Sequence, residues 1–159
     1  MINTYFIGCL HFGHEWMARY RGFNDSVEHD EHLILNWNAV VNPKDIVYIL
    51  GDITMEKEEF YYQLDRLKGV KHVVLGNHDR YQDVPELLKY VSSVSGAVDW
   101  KGCMLTHIPI HPSEVHFYRY NLHAHIHHEN KLAECYTPTR YGDFLTLDQR
   151  LADSQQTAC

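Results

Sequence analysis

Five stretches of this chain carry the side chains best suited to chemistry, and three of them directly follow an apolar run. Val73-Val74-Leu75 runs into Gly76-Asn77-His78-Asp79, Ile46-Val47-Tyr48-Ile49-Leu50 into Gly51-Asp52, and Tyr5-Phe6-Ile7 into Gly8-Cys9-Leu10-His11. Thr106-His107 and His123-Ala124-His125-Ile126-His127 come later. Asn77 offers a neutral amide oxygen. His78 can give or take a proton near neutral pH. Asp79 can orient that imidazole or hold its charge. Apolar strands that deliver such groups at their C-terminal ends are how open α/β sheets build sites.

The donor types point to metal. Asp52, just after a buried strand and a glycine, is placed to bridge two cations, and Asn77 adds an oxygen without adding charge. His107, His125 and His127 are borderline ligands suited to Zn, Fe, Mn or Ni, and His11 can add another. His125 and His127 are two apart, so they share a face in a strand and diverge in a turn. Such a set could hold two divalent ions roughly 3.5–4 Å apart with a hydroxide between them, an arrangement fitted to in-line displacement at phosphorus. His78, next to Asn77, could then protonate a leaving alkoxide, with Asp79 or a backbone carbonyl on its second nitrogen. His14 is a candidate substrate contact, beside Asn77 and His78. Of thirteen histidines, eight lie between His78 and His128, interrupted by other residues and so unlike a purification tag. His111, His116, His123 and His128 are expected to be structural or supporting, and His29, His32 and His72 to lie on surfaces or helix faces.

Composition narrows the rest. The 159 residues, 45% of them hydrophobic, suffice for one domain, expected over 1–153 with a frayed tail at 154–159. Cys9, Cys103, Cys135 and Cys159 form no CxxC pair, which fits free thiols in a reducing compartment. A net charge of −7 without a basic block leaves no extended nucleic-acid footprint. No run reaches the length of a membrane span, and the N-terminal residues lack a signal peptide's basic and apolar regions, so a cytoplasmic location is expected. Nothing in the sequence speaks to oligomeric state.

The elements that must position these residues follow from periodicity. Strands are expected at Thr4–Cys9, Ile46–Leu50 and Lys71–Leu75. A short helix is expected at Glu15–Tyr20. A second starts at an Asp25/Glu28 capping box, turns Leu33, Ile34, Trp37, Val40 and Val41 inward, and ends at Asn42-Pro43. A helix from about Met55 to Lys68, with Phe60, Leu64 and Leu67 inward, makes a βαβ unit whose strands are parallel. Asp83, Pro85 and Glu86 start a further helix through Val91. Val94–Trp100 and Cys103–His107 read as an antiparallel hairpin about Lys101-Gly102. Asn121–His125, Glu134–Thr137 and Phe144–Leu147 suggest more strands, and Asp148–Ala152 a last helix. Parallel α/β followed by mostly β suggests two sheets face to face with helices outside.

His11, Gly51-Asp52, Gly76-Asn77-His78-Asp79, His107 and His125-x-His127 resemble, in order and spacing, the calcineurin-like metallophosphoesterase superfamily, whose pattern is DxH, GD, GNH(D/E), H, GHxH. The likeness covers residues 5–127. His11-Phe12-Gly13-His14, Arg21-Gly22-Phe23 and Asn36-Trp37-Asn38 look like the small stand-alone bacterial and phage members. The resemblance implies a four-layer αββα sandwich of two mixed β-sheets flanked by helices, and a two-metal phosphoesterase. It implies one metal at position 9, His11, Asp52 and His127, and a second at Asp52, Asn77, His107 and His125, with His78 as acid or phosphate contact. A small phosphoester or nucleotide-like substrate is expected, a diester in preference. The alternatives are a phosphomonoesterase or protein phosphatase, or a scaffold like the retromer subunit of this fold. Ile53-Thr54-Met55-Glu56 lacks the arginine of the family phosphatases' GDxxDRG, and His78 keeps the histidine that the scaffold has lost.

Two residues depart from the pattern. Ala124 replaces a glycine, which is mild if its φ is negative and strained if left-handed. Cys9 replaces an aspartate. It could ligate as a thiolate, leave the first site weak, or pack as an inert filler. A thiolate would match the missing carboxylate's charge and favour softer metals, so ligation is the expectation.

Overall fold

The computed structural model describes residues 2–126, 136–138 and 145–146. Two mixed sheets form its framework. The first has the order β4-β3-β2-β1-β9, with β1 (Thr4–Ile7), β2 (Ile46–Ile49), β3 (Val70–Val74) and β4 (Ser93–Ser95) parallel and β9 (Leu145–Thr146) antiparallel to β1. The second has the order β5-β6-β7-β8: β5 (Val98–Trp100) is antiparallel to β6 (Cys103–Leu105), and β7 (Tyr120–His123) and β8 (Tyr136–Pro138) run parallel to β6.

Period-two alternation explains why the first sheet is covered on both faces. Tyr5, Ile7, Val47, Ile49 and Val73 join Leu33, Ile34, Trp37, Tyr61 and Leu64 in a cluster beneath the helices. Phe6, Leu50 and Val74 point the other way and meet Cys103, Leu105, Leu122 and Ala124 between the sheets. Phe6 stacks on Tyr48 at 5.7 Å and meets the edge of Trp100 at 5.1 Å, tying β1, β2 and β5 together. Two sheets with helices outside is the architecture expected.

The helices are α1 (Glu15–Tyr20), α2 (Ser26–Val40), α3 (Val84–Leu87) and α4 (Pro112–Val115). Asp25 caps α2 by accepting from the Glu28 amide at 2.8 Å, whereas Glu28 reaches the amide of Asn24 rather than closing the box on Asp25. Trp37 Nε1 donates to the Lys68 carbonyl at 2.9 Å and Asn38 bonds Arg66 O and Lys68 N, so this motif docks α2 on the chain beyond it. Val40, expected inside, is exposed, while Val41 is buried.

The structure corrects three elements. The α-helix expected over Met55–Lys68 is a 3-10 helix, Glu58–Arg66. Glu56 is left-handed (φ 57°), which delays the start, and the buried residues Tyr61, Leu64 and Leu67 recur every third position, matching a three-residue turn. The helix through Val91 is reduced to α3, because Lys89 and Tyr90 bond three residues back and tighten the chain; Asp83 pairs with Arg80 at 2.7 Å instead of capping. The hairpin begins at Val98, not Val94: β4 belongs to the first sheet, and the chain changes sheets between Ser95 and Val98. Its turn holds Lys101 and Gly102 both at positive φ, as a two-residue primed turn requires. The strands expected near Glu134 and Phe144 survive as β8 and β9, and the helix expected at Asp148–Ala152 lies outside the described residues. No helix among the described residues is long and apolar enough to cross a membrane.

Candidate metal centre

The candidate ligands among the described residues leave the C-terminal ends of β-strands. Cys9 and His11 follow β1, Asp52 follows β2, Asn77 and His78 follow β3, His107 follows β6 and His125 follows β7. Because β1, β2 and β3 are parallel, as are β6 and β7, their ends gather at one rim of the sandwich. A surface hollow lined by Ile2, Asn42, Pro43, Lys44 and Asp45 lies at the opposite end of β1 and β2, with no histidine or cysteine in it.

His107 is the centre of the arrangement. Its Nδ1 lies 2.7 Å from the Leu50 carbonyl, which can only accept, so Nδ1 carries the proton and Nε2 is turned inward. Around Nε2 lie Asn77 Oδ1 at 3.0 Å, His125 Nδ1 at 3.2 Å and Asp52 Oδ2 at 3.3 Å. Atoms bound about 2.1 Å from one ion sit roughly 3.0–3.4 Å apart, so this spacing fits a divalent cation. His11 Nε2 is 3.8 Å from the same Asp52 oxygen, which therefore faces both imidazoles, as a bridging carboxylate would.

Electrostatics agree with geometry. Burial opposes the Asp52 carboxylate, but the hydrogen bond and charge of His107, the His78 amide at 3.1 Å and His11 hold its pKa below the ordinary value. Burial also opposes a charged His107, yet Asp52 outweighs it and holds the imidazole above its ordinary value. His125 is pushed down by burial and by His107.

Cys9, Asp52 and His107 have ligand atoms all within 4.8 Å of one another. Cys9 Sγ also accepts the His125 amide at 3.4 Å, and burial pushes its thiol up to about 12. The sulfur thus sits where the apolar cluster between the sheets meets the polar rim, and only a cation beside it would make the thiolate favourable.

The backbone here is unusual. Cys9, His11, Asp52 and His125 all have φ between 54° and 62°, a left-handed region costing roughly 1–3 kcal/mol per non-glycine residue. Ala124 is outside that region, so its replacement of a glycine is the mild case. Gly76 permits the closest approach: a Cβ there would lie 2.6 Å from Asp52 N and 3.0 Å from His107 Nδ1.

Asp79 has a different task from the one expected. Its Oδ2 accepts the amides of Asp52 and Gly76, both at 2.8 Å, and its Oδ1 accepts Ile53 N at 3.0 Å. It clamps the loops after β2 and β3 together and does not hold His78. Burial raises its pKa, against the pull of these three amides. The carboxylate facing His78 is Glu56, whose Oε1 is 3.7 Å from His78 Nδ1. His14 is half-buried with its ring 5.8 Å from that of His11, and burial and Lys57 lower its pKa. His127 lies outside the described residues.

A second layer escaped the sequence. His29, expected on a surface or a helix face, lies on the buried face of α2 and is fully enclosed. Arg21 donates to the carbonyls of Cys9 (2.7 Å) and Leu10 (3.2 Å) and lies 2.8 Å from His29 Nε2. His29 Nδ1 meets Asp30 Oδ1 at 2.9 Å, and Asp30 Oδ2 accepts Gly13 N at 2.9 Å. A guanidinium only donates, so Nε2 of His29 accepts and its Nδ1 donates to Asp30. The one available sequence signal was adjacent His29-Asp30 on the buried side of α2. His111 accepts the Ser113 amide and caps α4, a structural role as expected.

Comparison with known proteins gives the chain relatives in sequence and in fold. The calcineurin-like phosphoesterase family matches over residues 2–153. An uncharacterised protein of Methanocaldococcus jannaschii is 33% identical over 139 residues, covering 84% of this chain and 74% of its own length. The Gene 66 protein of Mycobacterium phage D29 is also 33% identical, covering 80% of this chain and 79% of its own. In fold, the crystal structure of a protein of unknown function from Aquifex aeolicus matches with a TM-score of 0.69 at 23% identity, over 89% of this chain and 91% of that one.

Proposed function

We propose, for a chain that belongs to the calcineurin-like phosphoesterase family, a metal-dependent hydrolase of phosphodiesters acting on small or nucleotide-like substrates. The observation that carries this reading is the His107 centre: one imidazole, its tautomer set by Leu50, facing an amide oxygen, a carboxylate and a second imidazole at cation-compatible spacing. Two divalent ions are proposed, drawn from Mn, Fe, Zn and Ni. Cys9, His11, Asp52 and His127 would hold one, and Asp52, Asn77, His107 and His125 the other. When bound, such ions polarise a phosphoryl oxygen and bring the pKa of a bound water down to about 7.

The chain's own residues do the rest. Asp79 keeps the loops of Asp52 and Asn77 at a fixed separation. The Asp52 Oδ1–His78 amide bond, at 3.1 Å, fixes where the His78 ring emerges. With Nδ1 turned toward Glu56, Nε2 is the atom that gives a proton to the leaving oxygen. His14 contacts the substrate beside it. A diester carries a single negative charge, which suits a site with few cationic side chains. The site's work is intracellular, in the cytoplasm.

The test is hydrolysis of bis-p-nitrophenyl phosphate and of the monoester, after chelation and after adding back Mn, Ni, Fe or Zn. Chelation should abolish turnover, metal should restore it, and kcat/KM should favour the diester. Full activity with metal shown absent by elemental analysis overturns metal dependence. A higher kcat/KM on the monoester moves the enzyme to the monoesterase class, and no turnover with any metal favours a scaffold.

A further inference from the structure

A feature beside the metal centre is left unused by the hydrolytic chemistry. Trp16 and Tyr20 are 63% and 54% exposed, although each is large and mostly apolar. They are four apart on α1, and their rings stack at 5.3 Å between centroids with planes 12° apart. The helix beneath them is held rigidly: Met17 and Ala18 are buried, and Glu15 bonds Ser26 at the start of α2. A stacked aromatic pair fixed on an outward face, in a chain of net charge −7, is a preformed flat apolar surface.

Its location says what would cover it. The rings form a continuous series from the metal centre outward. His11 faces Asp52, His14 is 5.8 Å from His11, and Trp16 is 6.4 Å from His14. From the segment after β2, Lys57 Nζ reaches across to bond the Gly13 carbonyl at 3.3 Å, so a positive charge stands beside His14. A substrate matching this order has an anionic phosphoester at the metal end and a planar ring beyond it. A nucleoside phosphoester has that shape, with one sugar between phosphate and base. Bases stack on aromatic side chains with little regard to sequence.

We infer that Trp16 and Tyr20 form a stacking platform for the base of a nucleoside phosphodiester whose phosphate lies at the metal centre. This rests on the hydrolase reading above and adds the substrate class. A long polynucleotide is a poor candidate for a chain of net charge −7 with no run of lysines or arginines. A small nucleoside diester needs only the ring series and one anionic group.

The experiment compares two esters with the same leaving group, thymidine 5′-(p-nitrophenyl phosphate) and methyl p-nitrophenyl phosphate. In the wild-type protein the thymidine ester should have the lower KM. Trp16→Ala should raise that KM about tenfold with kcat unchanged and leave both constants for the methyl ester alone. Trp16→Phe should restore most of the loss. Equal changes on both esters, or none, overturn the platform. Calorimetric binding separates this from failure of the hydrolase reading. Thymidine 5′-phosphate should bind about tenfold tighter than 2-deoxyribose 5-phosphate, and Trp16→Ala should erase the difference. Equal affinities in the wild type overturn the platform even if neither ester is hydrolysed. A dimer that Trp16→Ala converts to monomer, with KM unmoved, would make the pair a subunit contact and also overturn it.

Discussion

Replacing Arg21 by Met tests whether the strained loop after β1 is held from behind. Arg21 is half-buried and gives the loop two carbonyl bonds, to Cys9 at 2.7 Å and Leu10 at 3.2 Å, plus a third contact to His29 at 2.8 Å. Hydrogen bonds from a charged donor contribute about 1.5–3 kcal/mol each, but two carbonyls at a loop edge recover part of that from water. A loss of about 3 kcal/mol is expected, read as a lower urea midpoint with unchanged slope. The second effect is the informative one. Cys9 and His11 sit at φ 56° and 54°, each about 1–3 kcal/mol above a relaxed backbone. Without Arg21 the loop relaxes, and a metal must restore both conformations as it binds. At about 2 kcal/mol of re-imposed strain, metal affinity falls roughly 30-fold. Titration with Zn or Mn, followed by calorimetry and by the rise in Tm with metal concentration, measures it. Arg21→Lys should rescue only partly, since an ammonium cannot span two carbonyls as a planar fork does. A Met variant that loses stability but binds metal as tightly as the wild type would refute the reasoning.

Three further outcomes are expected. Asp45 accepts the amides of Asn3 and Asn42, both at 2.8 Å, which hold its carboxyl below the ordinary value. Its stabilisation is therefore complete above the unfolded pKa of about 3.9 and is lost as pH falls through the lower folded value. The urea midpoints of wild type and Asp45→Asn should accordingly differ at pH 7 and converge toward pH 2; a constant gap would contradict the assignment. His78→Ala should lower kcat by roughly 10²–10⁴-fold on esters with poor leaving groups and far less on p-nitrophenyl esters, with metal content unchanged. An equal loss on both would assign His78 to phosphate binding. Cys9→Asp should shift preference toward Mn and Cys9→Ser should weaken one of the metals. Identical metal content and affinity in all three proteins would show that Cys9 packs without ligating.

Much of the scaffold was legible because it depends on local properties. Apolar runs ending in Gly-Asp, Gly-Asn-His and Gly-Cys-Leu-His mark strands that stop where polar groups begin. Asp25 three residues before Glu28 marks a helix start, and Lys101-Gly102 a primed turn. A βαβ spacing forces the strands parallel, and parallel strands bring their C-terminal ends to one rim. What each polar group does there was decided only by residues distant in the chain. Asp79 lies next to His78 in sequence, yet its carboxylate meets amides at positions 52, 53 and 76, because two loops converge on it. His29 sits on a polar-looking helix and is buried because the loop after β1 folds over it, bringing Arg21 and Gly13 to it and to Asp30. The 3-10 helix was not legible either: it buries Tyr61, Leu64 and Leu67 at every third position, with Phe60 packed against the same cluster, and that contact is set by the sheet beneath. The left-handed backbone at Cys9, His11, Asp52 and His125 is likewise invisible in residue identity, since none of the four is glycine. Such conformations persist only where surrounding bonds over-determine them, and those bonds come from the assembled sheets.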